Sequence, residues 1–364
     1  MTAFDRAAAL IEDAVATRAF PAASVEVGMR GAVAWRKSFG RHTYDDAPEA
    51  TPDTIFDLAS LTKVIATATL AMRAIDDRMM SVEDPVADWI PEWRGVDRLH
   101  VTVRDLLEHS AGLTAYLPFY RDLTGRAEFQ HAISTLPLEY EPRSRSLYSD
   151  LGYILLGFIL EDAAARTSSP RSAGAFDPAA SFASQFRRVA SLVTDQPLTF
   201  TPPRYWRDRI APTEYDPWRG RTLVGEVHDE NAWALGGVAG HTGLFGTAAA
   251  VGAFARAILH TIRDEPILAR TETMRTFIAR SSVAGSSRAL GWDTMLPTSS
   301  CGTLVSPTAI GHTGYTGTSL WIDWERDLYM VLLTNRVHPT RDNEAIRRLR
   351  PQFHDAVIAE LTDE

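Results

Sequence analysis

Ser60 and Lys63 stand three residues apart in Asp57-Leu-Ala-Ser-Leu-Thr-Lys63. A hydroxyl followed by an amine one helical turn later is the minimum equipment for nucleophilic acyl transfer. The lysine is conspicuous because the chain holds 35 arginines and only two lysines, Lys37 and Lys63. Guanidinium does not release its proton and ammonium can, so a lysine kept among arginines points to proton transfer. Tyr148-Ser149-Asp150 is a second candidate, a phenol beside a carboxylate, although the same residues also suit a turn and a helix N-cap. His312-Thr313-Gly314 is a third. Gly-His-Thr-Gly occurs twice, at 240–243 and 311–314, and only one copy is expected to be functional.

These residues need elements to hold them. From Ser60 to Asp77 the apolar residues recur at helical spacing after a short strand-like stretch, Thr54 to Leu58, which puts Ser60 in the first turn of a largely buried helix. There the helix dipole favours an alkoxide, and Ser60 and Lys63 share one face. Further helices are expected at the N-terminus, over Val103 to His109 and over Leu151 to Ala165. Ala23 to Met29 and Ala32 to Phe39 read as strands joined by Arg30-Gly31, a hairpin signal. The chain closes with strands Thr318 to Trp324 and Leu328 to Thr334, which His312-Thr313-Gly314 is expected to open, and a helix from about Asn343. Strands at both ends with helices between imply one antiparallel sheet completed by the termini, with a helical part inserted and a site in the groove between them. Arg166 to Phe182, rich in Ser, Pro, Gly and Ala, reads as a flexible surface insertion.

Composition removes several function classes. A chain of 364 residues with 45% hydrophobic residues buries a large core. A net charge of −9 argues against nucleic acid and anionic membranes as partners. The single Cys301 excludes an intrachain disulfide and a cysteine-based zinc site. No apolar run reaches membrane-spanning length, and the first twenty residues read as a charged amphipathic helix rather than a signal peptide. The expected location is the cytoplasm, or the periplasm or exterior if a leader has been removed.

In the order Ser-x-x-Lys, Tyr-x-Asp, His-Thr-Gly, the chain resembles the serine hydrolases of the penicillin-binding-protein and class C β-lactamase superfamily. The resemblance extends to Leu106 through Gly112 and to the run from Gly225 to Phe245, which is similar to a branch containing esterases and enzymes acting on cell-wall fragments. It implies an α+β (mixed α/β) fold of β-lactamase/transpeptidase type: an antiparallel sheet flanked by helices, about 1–58 and 235–364, with a mainly helical subdomain at about 59–234. It also implies Ser60 as nucleophile, Lys63 and Tyr148 as its proton relay, and the backbone N–H groups of Ser60 and Tyr315 as the oxyanion hole. Asp150, His312, Thr313 and Gly314 would then contact substrate. No cofactor or metal is called for.

Two departures bear on substrate. Penicillin-recognising relatives usually carry Lys where His312 stands and Asn where Asp150 stands. An imidazole is largely neutral near pH 7, and a carboxylate repels anions and favours a protonated Lys63. Both changes favour small neutral esters, hence a carboxylesterase. The alternatives are a muropeptide amidase, D-amino-acid peptidase or weak β-lactamase, and a non-catalytic sensor that is acylated without turnover. The stretch from Pro202 to Gly220, with Tyr205, Trp206 and Trp218, reads as a loop pinned by aromatic anchors, or a sugar-stacking surface. Glu226, His228, Asp229 and Glu230 read as a hydrogen-bonded network rather than a metal site, and His241 as a turn into the following helix.

Overall fold

The computed structural model describes residues 4–168 and 178–362. Its main sheet has six antiparallel strands in the order Ala32–Gly40, Ala22–Met29, Leu328–Thr334, Ser319–Asp323, Ile310–Thr313, Asp293–Thr294. The N-terminal hairpin therefore adds onto the last strands of the chain, with Val25 opposite Leu332 and Val27 opposite Met330. Arg30 and Gly31 both take positive φ, 53° and 77°, the geometry a tight two-residue hairpin requires.

Alternation along the strands divides the packing. Val25, Val27, Met330 and Leu332 face helices Asp5–Ala16 and Ile346–Thr362, whereas Val331 and Leu333 face helix Ala248–Ile262. On that second face the sheet also buries a carboxylate. Glu26 accepts from Tyr329 Oη at 2.7 Å and pairs with Arg36 and Arg256 at 2.6 and 2.9 Å, so the charge is fully bonded.

Several elements differ from the expectations. The helix after Ser60 opens with a π-helical stretch, Lys63–Ala68, before the α-helical Thr69–Asp76; such wide turns cluster at functional sites because they re-aim side chains. His312-Thr313 ends a strand of its own, Ile310–Thr313, instead of opening the final pair. Between Val103 and His109 only Val103–Leu107 is helical, started by a Thr102/Asp105 capping box and stopped at His109, where φ is 60°. The expected surface insertion lies mostly outside the described residues; its ends belong to helices Asp150–Ser168 and Phe182–Val193. A three-stranded sheet, Phe56–Asp57, Leu244–Gly246 and Leu198–Phe200, was not foreseen, and it places the nucleophile strand beside the strand that follows His241. Among the described residues no helix is long and apolar enough to cross a membrane.

Candidate active site

The residue before Ser60 carries the local strain. Ala59 has φ of 46°, a left-handed conformation costly for a residue with a Cβ. Asp57 holds it there: one carboxylate oxygen accepts the Ala59 N–H at 2.8 Å and the other the His228 N–H at 2.7 Å. Asp57 is buried, which raises its pKa even against those two bonds. The turn lifts Ser60 Oγ to the mouth of a cavity of about 570 Å³.

Lys63 and Tyr148 converge on that oxygen. Lys63 Nζ donates to Ser60 Oγ at 3.1 Å and Tyr148 Oη donates to it at 2.8 Å. Lys63 is fully buried and also donates to Asp150 Oδ1 at 2.7 Å and to the carbonyl of His241 at 2.9 Å. Tyr148 is set by His109, whose carbonyl accepts the Leu147 N–H and whose Nδ1 accepts the Ser149 N–H at 3.0 Å; the His109 and Tyr148 rings lie 4.7 Å apart. Gly240 lets the His241 loop approach: a Cβ there would sit 2.1 Å from the Tyr153 carbonyl oxygen on helix Asp150–Ser168.

The charges in this cluster oppose one another. Burial pulls the Lys63 pKa down, but the Asp150 carboxylate and the Tyr148 oxygen outweigh it and the net direction is up. Burial pushes Tyr148 up and Asp150 adds to it, with Lys63 opposing. At rest the site therefore holds an ammonium at Lys63 and a phenol at Tyr148. His312 is pushed well below its ordinary value by burial and by the cations Arg288 and Lys63, so the ring is neutral. Its Nδ1–H donates to the Thr313 carbonyl at 2.8 Å.

The loop from Gly314 to Thr318 closes over Ser60. Gly314 is required by contact, since a Cβ would lie 2.6 Å from the Leu58 carbonyl oxygen. Thr316 and Thr318 hydroxyls donate to the carbonyls of Asp57 and Leu58 at 2.7 and 3.0 Å. Two buried arginines brace the loop from behind. Arg350 donates to the Gly314 and Thr318 carbonyls at 2.8 and 2.9 Å, and Arg336 to that of Tyr315 at 2.8 Å. Burial, with Arg336 and Arg347 nearby, pushes Arg350 down to about 9. Among the described residues the Ser60 and Tyr315 amides donate to no backbone acceptor, and both residues line the cavity.

Every residue singled out in the sequence for the site lies here: Ser60, Tyr148, Asp150, His312, Thr313, Gly314 and Tyr315 line the cavity, with Lys63 directly behind Ser60. Others line it that the sequence did not suggest. His241 is more than a turn: besides its carbonyl bond to Lys63, its ring lines the cavity and shares a hydrogen bond with Asp229 at 3.0 Å. Both copies of Gly-His-Thr-Gly thus border the cavity, where the sequence suggested only the second. The repetition was itself the available signal. His228 pairs with Glu214 at 2.9 Å, Glu230 with Arg341 at 2.8 Å, and Glu226 with Arg221 at 2.5 Å, a network as expected, but one whose His228, Asp229 and Glu230 line the cavity. Arg288, Arg336, Arg341, Arg347 and Arg350 line it as well, so the absence of Lys at position 312 does not leave it without cations.

A serine bonded to an amine and a phenol, at the mouth of a cavity between an antiparallel sheet and helices, defines a serine hydrolase of β-lactamase fold. The family model described as Beta-lactamase matches residues 7–354, and the chain belongs to that family. It is 30% identical over 352 residues to a protein of Escherichia coli K12 named "Putative D-alanyl-D-alanine carboxypeptidase", covering 88% of this chain and 79% of that one. Among solved structures it is similar to EstCE1, a hydrolase with promiscuous acyltransferase activity (TM-score 0.75, 19% identity, 97% of each chain). It is also similar to a class C β-lactamase from Rhodobacter sphaeroides (TM-score 0.71, 20% identity, 98% of this chain and 99% of that one). These two likenesses concern the fold.

Proposed function

We propose that the chain is a carboxylesterase that forms an acyl-enzyme on Ser60. The observation that carries this reading is the pair of hydrogen bonds on one oxygen, from Lys63 at 3.1 Å and Tyr148 at 2.8 Å. Ser60 Oγ attacks the ester carbonyl as its proton passes to the basic member of the Lys63–Tyr148 pair. The oxyanion is held by the Ser60 and Tyr315 amides, each worth about 3 kcal/mol in the transition state. The proton then goes to the leaving alcohol as the C–O bond breaks, and water, giving its proton to the same pair, releases the acid and restores Ser60. A neutral His312 and the Asp150 carboxylate beside the nucleophile support uncharged esters over anionic ones.

A second reading is hydrolysis of peptides ending in a D-amino acid. Arg288 and Arg347 on the cavity wall, which neither brace the loop nor pair with Glu214 and Glu230, favour it, because a guanidinium suits a terminal carboxylate, and so does the name of the Escherichia coli relative. Stopped-flow release of nitrophenol from a short-chain nitrophenyl ester, run beside release of D-alanine from a D-alanyl-D-alanine peptide, tests both. Steady ester turnover after a burst, at a kcat/KM well above that on the peptide, is expected. A burst of one equivalent with no turnover would instead mark an acylated sensor, and a preference for the peptide would establish the second reading.

A further inference from the structure

Next to the cavity lies an aromatic surface that acyl transfer leaves unused. Trp218 meets Tyr120 edge to face with ring centroids 4.7 Å apart, and meets Trp233 likewise at 5.3 Å. Trp218 is 44% exposed and Trp233 40%, so each indole leans on its neighbours and shows much of itself to solvent. Side chains of this size ordinarily go to the interior, and a contiguous exposed patch of them marks an interaction site.

The patch is built and braced. Stretches 116–121, 216–221 and 226–234 meet in it. Arg219, next to Trp218, has a side chain only 2% exposed, is ion-paired to the buried Asp216, and donates to the carbonyls of Val227 and His228 at 2.7 and 2.6 Å. Asp216 accepts the Trp218 N–H at 2.7 Å. Asn231 crosses to the first stretch, accepting the Tyr120 N–H and donating to the Leu117 carbonyl, both at 2.9 Å. A buried ion pair with its remaining polar atoms bonded holds one geometry, so the rings are ordered before any ligand arrives.

Two features join the patch to the catalytic cavity. Tyr116, exposed and four residues before Tyr120, lines the cavity wall; so does Glu230, which starts the short helix Glu230–Ala234 that carries Trp233. The rim is polar. The Arg121 guanidinium lies 5.8 Å from the centre of the Tyr120 ring, the Arg221–Glu226 pair is part-exposed at 2.5 Å, and the Glu226 carboxylate lies beside the Trp233 indole N–H. Aromatic rings bordered by two guanidiniums and one carboxylate suit a ligand with C–H faces and hydroxyl edges. An alkyl chain would gain nothing from that rim.

We propose that Tyr120, Trp218 and Trp233 form a shelf for a pyranose ring, so that the preferred substrate carries a saccharide some bonds away from the acyl group attacked by Ser60. This names a substrate class for the acyl-hydrolase reading and rests on it. The 364-residue chain carrying Ser60→Ala, which cannot be acylated there, is titrated with a β-1,4-linked N-acetylglucosamine trimer and with maltotriose, following tryptophan fluorescence and heat. 2-Naphthoate serves as the aromatic comparison. Saturable binding of a trisaccharide is expected, weakened about tenfold or more when Trp218→Leu or Trp233→Leu is added. Leucine keeps apolar contact for folding, which the melting transition checks, and removes the stacking face. Saturation by neither sugar, equal binding with and without the indoles, or preference for naphthoate overturns the shelf. Binding is scored without turnover, so the two readings fail separately: sugar binding in a protein whose wild type hydrolyses no ester sinks the esterase and spares the shelf, and the converse result spares the esterase.

Discussion

Asp150 sets the pH at which this site has a base. Attack requires the Lys63–Tyr148 pair to have lost one proton, and the Asp150 carboxylate, 2.7 Å from Nζ, pushes the pKa of both members up. Asp150→Asn removes the charge while keeping an oxygen for Nζ to bond. Coulomb attraction between unit charges 2.7 Å apart is about 1.5 kcal/mol even at the dielectric of bulk water. The side chain is 20% exposed, so the water limit is a floor, equivalent to about one pH unit. The sign follows from the direction of the shifts: with the anion gone the pair releases its proton more readily, so the acid limb of kcat/KM moves to lower pH by about one unit or more. Initial rates on a short-chain ester, followed by pH-stat from about pH 5 to about pH 10, measure both limbs. An unmoved acid limb, or one displaced to higher pH, would refute the view that Asp150 tunes the base.

Other expectations follow from the same geometry. Lys63→Arg keeps the charge beside Asp150 but cannot exchange the proton, so kcat should fall about a hundredfold to ten-thousandfold while the melting temperature changes little; near-normal turnover would mean Lys63 takes no part in the relay. Arg350→Met removes the donors to the Gly314 and Thr318 carbonyls and should lower kcat more than it raises KM, because the loop carrying the Tyr315 amide loses its brace. His354 is held at about 4 by burial and by Arg350, against its bond to Ser300. Its folded pKa lies below the unfolded value near 6.5, so the unfolded chain binds the extra proton between the two. That stability is present above about pH 6.5 and is lost as pH falls toward about 4, amounting to about 3 kcal/mol. Urea midpoints across that window should fall in the wild type and flatten in His354→Gln.

The parts of the fold legible in the sequence were those with a run long enough to read. The hairpin strands either side of Arg30-Gly31 and the strand Leu328–Thr334 run for eight, nine and seven residues. Strands Phe56–Asp57, Leu198–Phe200 and Leu244–Gly246 are two or three residues long and show no period, yet they bring the nucleophile beside His241. The π-helical turn at Lys63–Ala68 leaves no compositional trace; beside it Thr67 donates to the Gly240 carbonyl and Thr69 to that of Val64, contacts visible only in the folded chain. For the site, spacing alone placed Ser60 with Lys63, and motif order brought in Tyr148, Asp150 and His312. Arg288, Arg336 and Arg350 are three among 35 arginines, and only the folded chain distinguishes them. Asp57 looked like part of a strand; its work, tying Ala59 to His228, depends on a partner 171 residues away.

Catalysis in this fold rests on Ser60 as the activated nucleophile. Wild type and Ser60→Ala are reacted with a fluorophosphonate and the adduct is located by peptide mass spectrometry. A single adduct on Ser60 in the wild type and none in the variant is expected. An adduct on any other residue, or undiminished labelling of Ser60→Ala, would contradict it.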